Sequence, residues 1–221
     1  MDEESKKLAR LWIHAIVLAA AAETAAAAFI PLLTRTAWTG GSDFEALFRT
    51  GFLALAGVIG AMALAIFGLL TGRVLDRKLP AFPMRSWIAA HAILGFVYGS
   101  ILFVASAPSD DPPTASDSVW YVAGGAALGL MVGLLIGGIQ AFVLRKAARG
   151  SVLWVGYSAL AGLSSVITFL VDFYGPQAGT AHDLIANGAD FVQSVVAGCM
   201  LLPALLRLRP LGDHPIPLLF E

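Results

Sequence analysis

Six long runs of apolar residues, nearly free of charged side chains, constrain this chain more than any other feature of its sequence. Each run reaches the length of about 20 residues that an α-helix needs to cross the hydrocarbon core of a bilayer. The runs lie near 11–33, 51–70, 87–107, 119–144, 152–171 and 186–206. Only 13% of the residues are charged, about half the usual share in a soluble globular domain. The sequence therefore predicts an all-α polytopic membrane bundle of six transmembrane helices, a single domain covering 1–221.

The distribution of Lys and Arg predicts how these spans are oriented. Of the 14 basic residues, only Arg35 and Arg49 fall in a connection that follows an odd-numbered span. The others lie in the N-terminal segment, the two even-numbered connections and the C-terminal tail. Because positive charges are retained on the cytoplasmic side, we expect both termini in the cytoplasm. Tryptophans near the span boundaries fit an interfacial aromatic belt; they are Trp12, Trp38, Trp87, Trp120 and Trp154.

Spans two and three resemble spans four and five when the chain is offset by 69 residues. The coinciding pairs are Ala56/Gly125, Gly60/Gly129, Gly68/Gly137, Val74/Val143 and Leu75/Leu144. A loop two residues shorter then aligns Trp87 with Trp154 and Gly95 with Gly162. Both hairpins start and return on the same side, so the sequence predicts a parallel internal repeat of helices 2–3 and 4–5. The alternative is a chance match between glycine-rich helices.

A short motif lies where the fourth span ends. Gly137 and Gln140 are followed by Val143-Leu144-Arg145, and Trp154 comes after a short basic loop. This Gly-x-x-Gln-x-x-Val-Leu-Arg pattern resembles uncharacterised bacterial multi-pass membrane proteins, although those often have Trp after the Gln where this chain has Ala141. The resemblance covers spans four and five. It implies a bacterial inner membrane and supplies no activity.

Small residues recur at helical spacing in the second and fourth spans. They form a glycine-zipper pattern at Gly57, Ala61, Gly68, Gly125, Gly129, Gly133 and Gly137. Small residues on one helix face allow another backbone to approach closely, which favours helix association in lipid. The sequence therefore predicts close packing at these positions. Packing within the molecule, a seam between identical chains and a glycine-lined pore are the three alternatives.

Ionisable residues inside the spans are few, and their cost in a bilayer makes each a candidate functional group. Glu23 lies near the middle of the first span, and further polar residues line one face of the fifth and sixth spans. We expect an ion- or substrate-binding site in a polar cavity between spans one, five and six, built from Glu23, Ser165, Thr168, Asp172, Asp190 and Gln193. The alternative is a protonated Glu23 bonded to a neighbouring helix, with both aspartates among lipid headgroups.

Two histidines suggest a weaker alternative site. His14 and His91 lie at matching depths in spans one and three, where facing imidazoles could ligate a haem iron or a pigment magnesium. Interfacial histidine is more often a polar tip reaching toward water. His182, Asp183 and Asp190 match no defined metal motif. We therefore expect no metal and no cofactor.

The sequence contains no motif of a known enzyme class, such as His-Glu-x-x-His, a nucleophile elbow or a Walker A loop. Cys199, the single cysteine, cannot form an intrachain disulfide. We expect a non-enzymatic protein that transports or binds a small solute or ion and has no nucleic-acid partner. The alternative is an accessory or structural subunit of a membrane complex, docked through its glycine-rich faces to a partner or to a second copy. A redox or pigment protein is the third hypothesis.

Overall fold

The computed structural model describes the backbone of 2–38, 45–105, 118–174 and 180–211, and the side chains of 2–34, 49–104, 122–171 and 184–211. The first four helices are α1 (Glu3–Trp38), α2 (Glu45–Lys78), α3 (Met84–Ala105) and α4 (Ser118–Leu144). The rest are α5 (Ser151–Gly162), a 3₁₀ turn (Leu163–Ser165), α6 (Val166–Tyr174), α7 (Thr180–Met200) and α8 (Leu202–Arg207). Two short strands, β1 (Ala148–Arg149) and β2 (Arg209–Pro210), pair antiparallel.

Among the described residues, six helical stretches are long and apolar enough to cross a membrane, which confirms the six spans predicted from the apolar runs. They are Glu3–Thr34, Arg49–Lys78, Met84–Val104, Val122–Leu144, Ser151–Val171 and Leu184–Arg207. The second extends beyond its apolar run because Arg77 and Lys78 occupy the last turn of α2, where positive charge interacts favourably with the helix dipole. The fifth comprises α5, the 3₁₀ turn and α6, whereas the sequence predicted one regular helix.

The first helix starts with a side-chain cap. The backbone N–H of Ser5 donates a 2.7 Å hydrogen bond to the Asp2 carboxylate, which satisfies one of the free donors at the start of α1. The same hydrogen bond lowers the pKa of Asp2. Glu3 and Glu4 add negative charge to the first turn, as the helix dipole favours.

Two helical hairpins, α2–α3 and α4–α5, are the closest-packed parts of the bundle. A methyl group built on Gly60 would lie 2.2 Å from the carbonyl oxygen of Gly95. In the second hairpin, a methyl group on Gly129 would lie 2.2 Å from the carbonyl oxygen of Gly162. Neither position has room for a side chain, so both hairpins depend on direct contact between backbones.

The other predicted packing residues also lie between helices of this chain. Gly57 faces Phe96, and Gly68 faces His91. On α4, the neighbours are on α5 and α6: Gly125 faces Phe169, Gly133 faces Ser158, and Gly137 faces Ser158 and Val155. Ala61 is half-buried. The glycines of both strips therefore contact helices of the same molecule.

The largest cluster of buried side chains lies at one end of the bundle. It joins residues near the start of α1 and α3, the end of α2 and α4, and α8, with Trp12, Trp87 and Trp154 at its centre. The basic connections 73–85 and 145–149 and the segment 207–211 meet at this end, which we call the basic end. Lys78 links the first of these connections to α8, because its Nζ donates a 2.9 Å hydrogen bond to the carbonyl oxygen of Leu206.

The aromatic belt predicted from the tryptophans is wrong for three of the five. Trp12, Trp87 and Trp154 are fully buried, so none of them faces lipid headgroups. Their indoles pack edge to face, with Trp154 centred 5.9 Å from Trp12 and 6.0 Å from Trp87. Their positions in the sequence correctly predicted that they lie near the helix ends. The rotation of each helix about its axis, however, directs their side chains inward. The side chains of Trp38 and Trp120 lie outside the described residues.

Candidate functional site

Three spans contribute to a polar cluster at the level of Glu23, which we call the acidic cluster: Glu23, Thr168, Asp190, Gln193 and Ser194. The hydroxyl oxygen of Thr168, on α6, lies 3.2 Å from Oδ1 of Asp190 and is also hydrogen-bonded to Oε1 of Gln193. Asp190 and Gln193 are one turn apart on α7 and therefore share a helix face. Predicted site residues from the fifth and sixth spans thus meet in the structure.

Glu23 reaches the same cluster from α1. The Ser194 hydroxyl and the Asp190 carboxyl group both lie near enough to its carboxyl group to influence it electrostatically. Tyr98 of α3 lies near enough to both carboxyl groups to be influenced by their charge, although its side chain is 41% exposed. The hydroxyl of Thr24 is buried beside Glu23 without a hydrogen-bond partner among the described residues. Two carboxyl groups from different helices therefore share one polar environment between apolar spans.

Sequence reasoning missed Ser194 and Tyr98. Ser194 follows Asp190 by four residues, so the same-face spacing that selected Gln193 could have selected it as well. Tyr98 lies in an apolar stretch of α3, and no pattern in the sequence places its side chain near Glu23.

Two predicted members of the site are not in the described cluster. The Ser165 hydroxyl points toward α4 and donates a 3.2 Å hydrogen bond to the carbonyl oxygen of Gly125. The 3₁₀ turn Leu163–Ser165 explains this direction, because three residues per turn change the angular positions that a regular helix would give. The side chain of Asp172 lies outside the described residues.

A second polar group, which we call the tryptophan network, lies at the basic end. The Trp154 indole donates a 2.7 Å hydrogen bond to Oε1 of Gln140, whose Nε2 lies 3.0 Å from Nε2 of His91. The other ring nitrogen of His91 lies 2.8 Å from the carbonyl oxygen of Trp87. When the Gln140 amide donates to Nε2, a neutral His91 carries its proton on Nδ1. That N–H then donates to the carbonyl oxygen of Trp87.

The tryptophan network continues into α2. The Trp87 indole donates a 3.2 Å hydrogen bond to the Thr71 hydroxyl, which itself donates to the carbonyl oxygen of Phe67 at 2.7 Å. On α1, the Trp12 indole donates a 2.8 Å hydrogen bond to the carbonyl oxygen of Gly198 on α7. Because each buried polar side chain here has a partner, the network holds helices together and leaves no group free for a ligand.

The two histidines of the haem alternative have different surroundings. His14 is exposed, and its Nδ1 is hydrogen-bonded to the carbonyl oxygen of Arg10. His91 is buried, with a protein partner at each ring nitrogen. Within the described part of the chain, no group of three or more His, Cys, Asp or Glu residues could hold a metal ion. The side chains of His182 and Asp183 lie outside the described residues.

No protein-family model matches the chain, and no curated protein or solved structure matches it either. A functional assignment therefore depends on the geometry of the two polar groups. The acidic cluster is the better candidate site, because the tryptophan network is closed.

Proposed function

We propose that this chain binds a proton or a small cation at the acidic cluster and moves it, or a solute coupled to it, across the membrane. One observation carries the proposal: the Thr168 hydroxyl is hydrogen-bonded to Asp190 and Gln193 between the fifth and sixth spans, and Glu23 of the first span lies near enough to Asp190 for the two acids to influence each other. A charged carboxylate at the centre of a bilayer costs about 2.5–3.5 kcal/mol on insertion scales, and two adjacent ones repel each other. A bound proton or cation removes both costs.

The oxygen atoms around Thr168 support this assignment. Thr168 has one hydroxyl proton but two acceptor oxygens beside it, on Asp190 and Gln193. In this orientation of the Gln193 amide, the second contact is satisfied when Asp190 carries a proton or when a cation binds between the oxygens. Carboxylate, amide and hydroxyl oxygens are also the ligands that hard cations prefer.

The proposal includes a bacterial inner membrane with both termini in the cytoplasm. The support for this orientation is the position of Lys and Arg residues at the basic end. A C-terminal fusion to a reporter that is active only in the periplasm should give no signal. A periplasmic signal would reverse the orientation.

We also infer that α2–α3 and α4–α5 form a parallel internal repeat. Contacts at aligned positions support it: the Gly60–Gly95 and Gly129–Gly162 backbone contacts have the same form. Each returning helix also begins with a buried tryptophan whose indole donates to a polar side chain of the preceding helix, Thr71 or Gln140. Thr71 and Gln140 are 69 residues apart, the same offset as the glycines.

The accessory-subunit alternative draws no support from the glycine strips, since their glycines contact α3, α5 and α6 of the same chain. Shallow apolar depressions do lie on the outer surface, one of them lined by Leu134, Leu135, Gly138, Ile139 and Phe142. They resemble ordinary lipid-facing surface, and nothing in the structure indicates a protein partner for them.

The test compares Glu23→Gln and Asp190→Asn with the unaltered protein in proteoliposomes. We expect the unaltered protein to carry protons, Na⁺ or K⁺ faster than empty vesicles, and each variant to lose at least tenfold of that flux. Both substitutions preserve side-chain shape and remove the titrating group. Asp76→Asn is the matched control, because Asp76 is an exposed acid near the end of α2 and does not belong to the acidic cluster.

Thermal stability in detergent separates a lost site from a lost fold. The two amide variants should melt within a few degrees of the unaltered protein, or above it, because removing a buried charge removes its desolvation cost. Flux equal to that of empty vesicles for the unaltered protein, or full flux in both stable variants, would overturn the proposal.

A further inference from the structure

The short strand pair at the basic end brings two arginines together. The register pairs Arg149 directly with Arg209, and both side chains are exposed. The backbone N–H of Leu211 extends the pairing by donating a 3.1 Å hydrogen bond to the carbonyl oxygen of Ala147. Directly opposed residues of an antiparallel pair have Cα atoms about 4.5–5.5 Å apart and project their side chains to the same face.

Opposed like charges destabilise a strand pair, so an anion bound between the two guanidinium groups would stabilise it. Among the described side chains, neither Arg149 nor Arg209 forms an ion pair with a carboxylate; the ion pair found there joins Lys6 and Glu3. Two guanidinium groups on one face suit a phosphate, because their planar sets of N–H donors match its oxygens bidentately.

Neighbouring cations are held by aromatic rings at the same end. The Arg145 guanidinium lies 3.9 Å from the centre of the Phe142 ring, and Lys146 Nζ lies 6.0 Å from it. Arg207 donates a 2.7 Å hydrogen bond to the hydroxyl of Tyr157. Five basic residues therefore gather in the α4–α5 connection, the last turn of α8 and the strand that follows it: Arg145, Lys146, Arg149, Arg207 and Arg209.

Apolar surface adjoins these charges. Val152, three residues after Arg149, is 80% exposed, and Phe142 is 53% exposed. Both lie in the terminal turns of membrane-spanning helices, where we place the boundary between lipid headgroups and acyl chains. A ligand with a phosphate and a hydrocarbon tail fits this surface, whereas a free anion would use only its charged part.

We propose that Arg149 and Arg209 bind the phosphate of an anionic phospholipid, whose acyl chains lie against Val152 and Phe142. Arg145, Lys146 and Arg207 add positive charge around the headgroup. The site is independent of the acidic cluster. The lipid proposal therefore does not depend on whether the chain transports a cation.

The test measures the melting temperature of the purified full chain in neutral detergent as phosphatidylglycerol, phosphatidylcholine or inorganic phosphate is added. A ligand that binds the folded state raises this temperature with concentration, so the titration yields an affinity. We expect phosphatidylglycerol to stabilise the protein and the other two additives to have little effect. Equal stabilisation by phosphatidylcholine, or by inorganic phosphate, would overturn the proposal.

Two double variants distinguish a built site from general surface charge. Arg149→Ala with Arg209→Ala should weaken phosphatidylglycerol binding at least tenfold. Arg73→Ala with Arg77→Ala is the matched control, since it removes two exposed arginines of α2 near the same end and should change binding less than twofold. Equal losses in the two variants would mean that no specific site exists.

A third variant keeps the test informative if the double alanine variant does not fold. Arg149→Lys with Arg209→Lys keeps both charges but removes the bidentate donors, so we expect binding several-fold weaker at unchanged melting temperature without lipid. Binding equal to that of the unaltered protein would contradict the paired-arginine geometry.

Discussion

The α2–α3 and α4–α5 hairpins pack in the same way but differ in their polar side chains. Each has a glycine pair whose backbones touch, and each returning helix begins with a buried tryptophan bonded to the helix before it. In the first hairpin the tryptophan's partner is Thr71, and in the second it is Gln140. The contacts that determine helix separation are thus alike, and the residues that differ carry hydrogen bonds.

The hydrogen bonds of Gln140 extend to the other hairpin, whereas those of Thr71 do not. Thr71 accepts from Trp87 and donates to Phe67, so its bonds stay within α2 and α3. Gln140 is longer and has an amide donor in addition to its carbonyl oxygen, so it accepts from Trp154 and also reaches His91 of the first hairpin. Gln140 and His91 therefore link the two hairpins, whereas each glycine pair joins only the two helices of its own hairpin.

The largest effect should come from filling the glycine contacts. Gly60→Leu and Gly129→Leu each place a side chain against a backbone carbonyl at 2.2 Å, which forces the helices apart and should cost about 3 kcal/mol or more. We expect both variants to lose most of their folded yield in detergent. Gly156→Leu is the control, because nothing lies within 4 Å of a methyl group there. A large loss of folded yield in only one of the two variants would mean that the two hairpins do not depend on their glycine contacts in the same way.

The next effect separates the two polar partners. Gln140→Leu leaves the Trp154 indole N–H and Nε2 of His91 each without a buried partner, whereas Thr71→Val leaves only the Trp87 indole N–H without one. At about 1–3 kcal/mol for each unsatisfied group, the Gln140 variant should lose roughly twice as much stability. Thermal unfolding in the same detergent measures both. Equal losses would mean that the bond to His91 contributes little.

A smaller effect tests the link itself. A double-mutant cycle of Gln140→Leu and His91→Phe should show a coupling of about 0.5–3 kcal/mol, because the two side chains are in contact at 3.0 Å. Gln140→Leu combined with Thr34→Val is the control, since the Thr34 hydroxyl bonds to Phe103 and shares no partner with Gln140. Coupling no larger than in the control would mean that the packing of Trp87 on Trp154 joins the hairpins and that the Gln140–His91 hydrogen bond does not.

Sequence patterns predict the six spans because length and apolarity suffice to identify a membrane helix. They also predict which polar residues share a helix face, so Thr168, Asp190 and Gln193 were selected together. Helix rotation is different, since it depends on packing between helices. The direction of the buried tryptophans and the approach of Tyr98 to Glu23 therefore had no signal in the sequence.

The break in the fifth span shows the same limit. An apolar helix and an apolar helix interrupted by a 3₁₀ turn have the same composition, and Leu163-Ser164-Ser165 carries neither proline nor glycine. The turn follows Gly162, which touches Gly129, and precedes Thr168, which belongs to the acidic cluster. Its position depends on a contact with another helix, so Ser165 could not be assigned to a face from its spacing alone.

The smallest effect concerns Ser158, which aligns with His91 in the offset that relates the hairpins. Gly68 faces His91, and Gly137 faces the Cβ of Ser158, so the two side chains occupy matching places. The hydroxyl of Ser158 is buried and has no hydrogen-bond partner among the described residues, whereas His91 has two partners. A buried, unpaired hydroxyl costs about 1–3 kcal/mol in lost hydration.

Ser158→Ala should therefore leave the protein as stable as before or raise its stability by up to about 1 kcal/mol, because the Cβ that packs on Gly137 remains. Ser164→Ala is the matched control on the same span, since the Ser164 hydroxyl donates a 2.7 Å hydrogen bond to Ala161 and its loss should be neutral or destabilising. Thermal unfolding compares the two. A loss above about 1 kcal/mol for Ser158→Ala would mean that this hydroxyl is bonded in the folded protein. The second hairpin would then contribute its own polar partner at this position, and the contrast with His91 would not hold.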